Sequence, residues 1–153
     1  MKTLVIGGTG PTGPFVVKGL LEQGHDVAIL NRGSHESPDL PNSVERIIAD
    51  PHFEETLTVA LSGRSFDQII ASYGRLRIIA GLVGEHTDRL ISVGGSPGYR
   101  GIQNPEAVFP EGLQVPLPEI APQIESEKEF RFGFLVKQAE DAVMEGHPAG
   151  NYV

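Results

Sequence analysis

The fold is decided by Lys2-Thr3-Leu4-Val5-Ile6-Gly7-Gly8-Thr9-Gly10-Pro11-Thr12-Gly13, near the start of the chain. Its apolar first half, residues 2–7, predicts a β-strand that runs directly into a glycine-rich turn. The amphipathic pattern of residues 14–23 predicts a helix immediately after the turn. A strand, a glycine turn and a helix in succession indicate the first half of a βαβ unit.

The glycine turn has the spacing of a phosphate-binding loop. Gly8-x-Gly10-x-x-Gly13 matches the dinucleotide-binding fingerprint. Glycines let the backbone approach a phosphate without a side-chain clash, and the helix N-terminus offers N–H groups and a partial positive charge. We therefore expect a dinucleotide here, the alternative being a glycine turn with a purely structural role. The expected binding residues all belong to this loop: Gly7, Gly8, Gly10, Pro11, Thr12 and Gly13.

Length and composition predict one globular domain. The chain has 153 residues, of which 39% are hydrophobic, enough to bury a core. It has no cysteine, which excludes disulfides, thiolate catalysis and cysteine-ligated metals and makes the cytoplasm the simplest location. No apolar run reaches the ~18 residues of a membrane span, and the chain opens with a strand rather than a visible signal peptide.

The charge distribution bears on the expected partners. The net charge is −8, and residues 101–153 contribute −6 of it, with three basic and nine acidic side chains. This acidic balance argues against nucleic-acid binding, which needs a basic surface. The five histidines show no ligand spacing, so we expect no metal site. The expected partner is a small-molecule substrate rather than a nucleic acid or a membrane. A homodimer is compatible with the sequence.

Strand and helix patterns alternate along the chain, which predicts an α/β fold with a doubly wound parallel sheet, the Rossmann fold, in three αβα layers. The predicted strands cover residues 2–7, 27–30, 44–49, 66–71 and 90–93, and the predicted helices cover 14–23, 53–62, 76–86 and 126–146.

The C-terminal third departs from this rhythm. Residues 95–122 contain six of the twelve prolines and predict a long loop at the carboxyl edge of the sheet, either a substrate lid or a surface excursion. Residues 151–153 resemble the start of a sixth strand, so we expect 1–153 to be a dinucleotide-binding domain whose natural C-terminal substrate-binding part is missing. In the last helix the apolar residues Leu135, Ala139, Ala142 and Val143 are expected to occupy one side.

The opening motif, read as Gly7-x-x-Gly10-x-x-Gly13, resembles that of the short-chain dehydrogenase/reductase superfamily, above all its extended and atypical NAD(P)-dependent epimerase/dehydratase branch. The resemblance places Asp50 near the adenine. It sets the catalytic hydroxyl at the end of the fifth strand, where the direct match is Gly94 or Gly95, Ser96 is next along, and Ser92 is the other hydroxyl within reach. It also identifies Lys137 as the active-site lysine, which holds the nicotinamide ribose. The implied activity is oxidoreduction, or an epimerase/dehydratase-like reaction, on a small carbonyl or alcohol.

The end of the second strand indicates which dinucleotide is bound. NAD is usually selected there by a carboxylate on the ribose 2′-hydroxyl, whereas NADP needs a cation for its 2′-phosphate. Here the strand is followed by Arg32, whose guanidinium suits a phosphate, and no acid lies between Asp26 and Glu36. The sequence therefore predicts NADP, with NAD as the alternative.

The catalytic pattern of the resembled family is incomplete. Its reductases place a proton-donating tyrosine four residues before the lysine, where this chain has Gly133. The donor is then Tyr99, or less plausibly Tyr73, or lies beyond residue 153, or the chain binds a dinucleotide without reducing anything. The catalytic candidates are therefore Ser96, Tyr99 and Lys137, and the rival hypothesis is a non-catalytic, redox-sensing NAD(P)-binding protein.

Two further alternatives stay open. Lys137 is either a cofactor ligand or an ordinary helix lysine paired with Asp141 four residues on. Arg75 and Arg77, after the fourth strand, either contact a phosphate or an anionic substrate or merely begin a solvated helix.

Overall fold

Five parallel strands form one sheet in the order β3-β2-β1-β4-β5. The structure, a computed structural model, describes residues 1–34, 37–72, 75–108 and 114–146, with the backbone alone for 107 and 108. The strands are β1 (Lys2–Ile6), β2 (Asp26–Asn31), β3 (Glu45–Ile48), β4 (Gln68–Ser72) and β5 (Leu90–Val93).

The helices connect these strands in the predicted order. The five strands and four helices predicted between residues 2 and 146 are all present, with ends that differ by at most three residues. The largest difference is at α3, which stops at Val83 because the N–H groups of His86 and Thr87 turn back to its carbonyl. The helices are α1 (Gly13–Glu22), α2 (Glu54–Leu61), α3 (Leu76–Val83), α4 (Pro105–Val108) and α5 (Glu127–Glu145), with a 3₁₀ turn at Ser96–Gly98 before α4.

Both faces of the sheet are covered, which confirms the predicted three-layer α/β architecture. Alternate residues of β1 point to opposite faces, so Leu4 and Ile6 join the core beneath α2, α3 and α5, whereas Val5 joins the core beneath α1. Leu4 is fully buried at the centre of the sheet. Parallel strands buried on both faces explain the continuous apolar runs in the sequence.

The last helix differs from its prediction. Val143 is buried and Ala139 and Ala142 pack on the core, whereas Leu135, at the helix spacing of the same side, is 39% exposed. Phe130 has φ −161° and ψ 100° and interrupts the helix near its start. Val143 therefore lies on the part of α5 that follows the break, which packs on α3.

Residues 95–122 are more structured than the proline content predicts. They contain the 3₁₀ turn and α4, and Tyr99 forms an antiparallel bridge with Gln123. Residues 109–113 and the expected sixth strand at 151–153 lie outside the described residues. Within the described ranges, no helix is long and apolar enough to cross a membrane.

Candidate functional site

The glycine loop between β1 and α1 begins with two residues in left-handed backbone conformations. Gly7 has φ 108° and Gly8 has φ 76°, a region that side chains disfavour. The N–H of Gly7 donates to the carbonyl of Leu30 at 2.8 Å, which ties the loop to the end of β2. The chain can therefore leave the sheet edge sharply and enter α1.

Gly13 lies where α1 passes over the loop. A Cβ on Gly13 would stand 2.6 Å from the Cα of Gly8 and would overlap its carbonyl group. A Cβ on Gly8 would stand 2.9 Å from Cγ2 of Ile29 on β2. Gly10 differs, because it is exposed and nothing lies within 4 Å of its Cβ position. Two glycines thus permit close packing, and the third leaves open space for a ligand.

The loop presents unpaired donors beside this open space. Within the described residues, no acceptor pairs with the backbone N–H groups of Gly8, Thr9, Gly10 and Thr12, although the N–H of Gly13 donates to Gly10 at 3.1 Å. Thr12 precedes α1 without a side-chain cap, and the first turn of α1 carries no acid. The positive end of the helix dipole therefore remains available to an anion.

A cavity of about 820 Å³ opens from the loop. One wall consists of loop and α1 residues, including Gly7, Gly10 and Pro11. The segment after β2 also contributes to the lining, through Arg32 and Ser34. A phosphate-bearing ligand in this cavity would meet both backbone N–H groups and a guanidinium.

A second cavity, of about 380 Å³, adjoins the first and shares Gly7, Arg32 and Pro51 with it. Ser72, at the end of β4, and Arg75 line its other side. Arg77 instead donates to Oε1 of Gln138 at 3.2 Å and lies on the contact between α3 and α5. Of the two arginines considered in the sequence, only Arg75 therefore lines a cavity described here, the second one.

Asp50 is held by its own turn. Its carboxylate accepts a hydrogen bond from the backbone N–H of His52 at 3.0 Å and lies 2.6 Å from Nδ1 of the same residue. The backbone hydrogen bond of His52, its side-chain hydrogen bond and charge, and the charge of Arg32 lower the pKa of Asp50 despite some desolvation. Asp50 therefore stays ionised beside Pro51 and His52, which line the second cavity.

The three predicted catalytic residues belong to two neighbouring elements and line neither cavity. Ser96 begins the 3₁₀ turn, Tyr99 follows it, and the turn packs on α5, which carries Lys137. Lys137 Nζ donates to Oδ2 of Asp141 at 2.5 Å, the helix pairing that the sequence left open, and the Tyr99 hydroxyl donates to the carbonyl of Glu119 at 3.5 Å. Neither of the two cavities is lined by any of the three.

Gly133 has a packing role that the sequence did not reveal. Because α5 lies against the 3₁₀ turn, a Cβ at Gly133 would overlap the carbonyl oxygen of Pro97 and stand 2.7 Å from the ring of Phe130. The position of the expected tyrosine thus has no room for a side chain in this structure. A residue elsewhere must supply any proton donor.

Two contacts that sequence reasoning missed hold the segment after β5 against α5. Glu140 accepts a hydrogen bond from the N–H of Gly95 at 3.0 Å. Arg100 binds Glu129 through Nε at 2.6 Å and lies 3.3 Å from Glu125. The hydrogen bond between Arg100 and Glu129 raises the pKa of Arg100 and lowers that of Glu129. No local signal predicts these pairs, because their members lie far apart in the sequence.

No group of three or more histidine, aspartate and glutamate side chains within the described parts of the chain is arranged to hold a metal ion. No protein-family model matches the sequence, and a comparison with curated proteins finds no significant relative.

The fold does match solved structures. The Bordetella bronchiseptica enzyme WbmG, in complex with NAD and UDP, superposes with a TM-score of 0.72 at 16% identity over 94% of this chain. The UDP-Glc/GlcNAc 4-epimerase from Campylobacter jejuni gives 0.72 at 14% identity over 99%. A short-chain dehydrogenase/reductase superfamily protein from Agrobacterium tumefaciens with bound NAD gives 0.70 at 16% identity over 99%.

The chain spans about half the length of these proteins, 49%, 51% and 47% respectively. The parallel sheet order, the glycine loop between β1 and α1 and these superpositions agree with one another. The chain therefore has the Rossmann fold of the epimerase and short-chain dehydrogenase/reductase structures that it matches.

Proposed function

We propose that this chain binds NADP(H) at its glycine loop, as the cofactor-binding part of an oxidoreductase or an epimerase/dehydratase-like enzyme that acts on a small carbonyl or alcohol. The main support is that, among the described residues, the N–H groups of Thr9 and Gly10 have no acceptor and both residues line a cavity that also contains Arg32. Similar folds crystallised with NAD support a nicotinamide dinucleotide as the ligand.

The residues present fit such a ligand. The loop N–H groups and the N-terminus of α1 would hold the pyrophosphate, since both are unneutralised and open. Arg32 would pair with the 2′-phosphate, and Asp50 would lie on the adenine side of the site. NAD is the alternative ligand, because the matched structures carry it.

When bound, the nicotinamide supplies or accepts a hydride. The chain contributes binding and orientation at the loop, and its candidate proton donor is the hydroxyl of Tyr99. That hydroxyl contacts Glu119 in the present arrangement, so the segment around Tyr99 must reorient before the hydroxyl reaches a substrate. Lys137 must likewise leave Asp141 to hold a ribose.

The cofactor assignment is tested by Arg32→Glu, which reverses the charge that would face the 2′-phosphate. The variant should lose at least tenfold in NADPH affinity and much less in NADH affinity, measured by fluorescence titration. Arg46→Glu, an exposed arginine on β3 that lines neither cavity, is the matched control. Equal losses for both dinucleotides with Arg32→Glu would defeat the NADP assignment.

A second candidate function is dinucleotide binding without catalysis, as in a redox sensor. The crowding at Gly133 and the pairing of Lys137 with Asp141 favour it. Absorbance at 340 nm with a panel of aldehydes and ketones separates the two functions, because a sensor binds NADPH without turnover. If turnover occurs, Tyr99→Phe should abolish it, and unchanged turnover would remove Tyr99 from the mechanism.

The remaining expectations about the protein's setting are also proposals. A cytoplasmic location rests on the lack of cysteine, and the exclusion of nucleic acid rests on the charge of −8. Gel filtration with light scattering would test the homodimer.

A further inference from the structure

The larger cavity contains an ion pair that the proposed binding residues do not include. Lys18, on the second turn of α1, and Asp39, after β2, both line it together with Arg32. The Lys18 ammonium lies 4.0 Å from a carboxylate oxygen of Asp39, and the two side chains are 46% and 70% exposed. A long, exposed pair of this kind is weak, so Lys18 can exchange its partner readily.

The charges of the cavity bear on dinucleotide choice. Among the residues that the structure describes, those that line it with a charge are Lys18, Arg32 and Asp39, which sum to +1. A 2′-phosphate carries a charge of about −1.5 to −2 and three acceptor oxygens near neutral pH. The fork of Arg32 can satisfy two of those oxygens, which leaves one oxygen and part of the charge without a partner.

Lys18 is suited to the remaining oxygen because an ammonium is a compact charge on a flexible stem. Asp39 disfavours phosphate binding in two ways. Its carboxylate pairs with the ammonium of Lys18, and its negative charge repels a phosphate in the same cavity. Ser34 and Ser37 also line the cavity, but their neutral hydroxyls suit a ribose hydroxyl as well as a phosphate. The charged side chains of the cavity, rather than its serines, therefore distinguish a dinucleotide with a 2′-phosphate from one with a 2′-hydroxyl.

We infer that Lys18 and Asp39 set how strongly the site prefers a dinucleotide with a 2′-phosphate over one without it. Lys18 is the second cation for the phosphate, and Asp39 limits the preference. This inference rests on the proposed dinucleotide binding at the glycine loop.

The experiment measures NADPH and NADH affinities for Lys18→Gln, Asp39→Asn and the double variant by fluorescence titration. Asp39→Asn should tighten NADPH by about two- to fivefold and leave NADH unchanged. Lys18→Gln should weaken NADPH by about five- to tenfold and leave NADH unchanged. In the double variant the gain from Asp39→Asn should shrink, because part of it acts by releasing Lys18.

The controls are Lys128→Gln and Asp88→Asn, which make the same charge changes at exposed positions that line neither cavity. Circular dichroism checks that each variant is folded. If either cavity variant shifts NADPH and NADH by the same factor, or shifts neither, the inference is overturned while dinucleotide binding stands. If the unaltered chain binds neither dinucleotide, the proposed function itself fails.

Discussion

At the scale of single residues, the glycines of the loop do three different things. Gly7 and Gly8 adopt left-handed conformations that turn the chain away from the sheet. Gly13 lets α1 pass so close to the loop backbone that a Cβ at this position would lie 2.6 Å from the Cα of Gly8. Gly10 has neither constraint and borders the open cavity, so the proposed ligand would occupy the space of the missing side chain.

Gly13→Ala tests the close approach. The new methyl group would overlap the backbone of Gly8, which cannot move without shifting β1 or the loop. We expect a drop in thermal stability and at least a tenfold loss of dinucleotide affinity. Gly19→Ala in the same helix is the control, because its Cβ position is empty and alanine favours helix by about 0.5–1 kcal/mol. A Gly13→Ala variant with unaltered binding would contradict the assigned packing.

At the scale of elements, the most informative contact is the one between α5 and the segment that follows β5. Arg100 and Glu129 join the two through a pair of hydrogen bonds of 2.6 and 3.1 Å. Glu129 immediately precedes Phe130, where α5 is interrupted, so the pair holds the first turn of that helix against the loop. The catalytic candidates Ser96, Tyr99 and Lys137 lie on the two parts of the chain that this contact joins.

This contact predicts a pH dependence. The hydrogen bond from Arg100 lowers the pKa of Glu129 below the ordinary value of 4.5. A carboxylate with a depressed folded-state pKa contributes its full stability above the unfolded pKa and loses it as the pH falls through the lower folded-state pKa. The unfolding temperature of the unaltered chain should therefore fall on acidification below about pH 4.5.

Glu129→Gln is the variant that isolates this contribution. It keeps the shape of the side chain but has no ionisable group, so its unfolding temperature should depend less on pH between about 5 and 3. Asp50 keeps its own acid dependence in both proteins, because His52 and Arg32 lower its pKa independently of Glu129. Parallel pH curves for the two proteins would show that Arg100 and Glu129 do not interact in solution.

At the scale of the whole molecule, the strand order places both cavities. The chain leaves β1 through α1 toward β2 on one side, whereas β4 lies on the other side of β1. Connections that diverge from neighbouring strands open a crevice at the carboxyl edge of the sheet. The second cavity lies there, with Gly7 after β1 and Ser72 at the end of β4 among its lining residues. The position of the candidate site thus depends on the strand order of the sheet as well as on the glycine loop.

The stability of this scaffold rests on the layer of helices over the larger core. Leu57 of α2 is fully buried in that core, whereas Val59 of the same helix is 78% exposed. Leu57→Ala should lower the free energy of unfolding by about 2–5 kcal/mol through lost burial and a cavity. Val59→Ala should change it by less than about 0.5 kcal/mol. Urea denaturation of both variants measures the difference, and similar values would contradict the assigned packing of α2.

The sequence by itself determined the elements and their order. Apolar runs such as Val27–Leu30 and the glycine spacing up to Gly13 are local signals, because strand, helix and turn geometry repeat over a few residues. The same local logic predicted the strand–turn–helix arrangement of the loop and the presence of Arg32 just after β2. Both lie at the mouth of the larger cavity in the structure.

Only the tertiary structure decided which distant residues meet. The crowding of Gly133 by Pro97, the hydrogen bond between Glu140 and Gly95, and the approach of Lys18 to Asp39 depend on how whole elements cross. No periodicity within a single element encodes such a crossing, since it is selected by the shapes and volumes of packed surfaces.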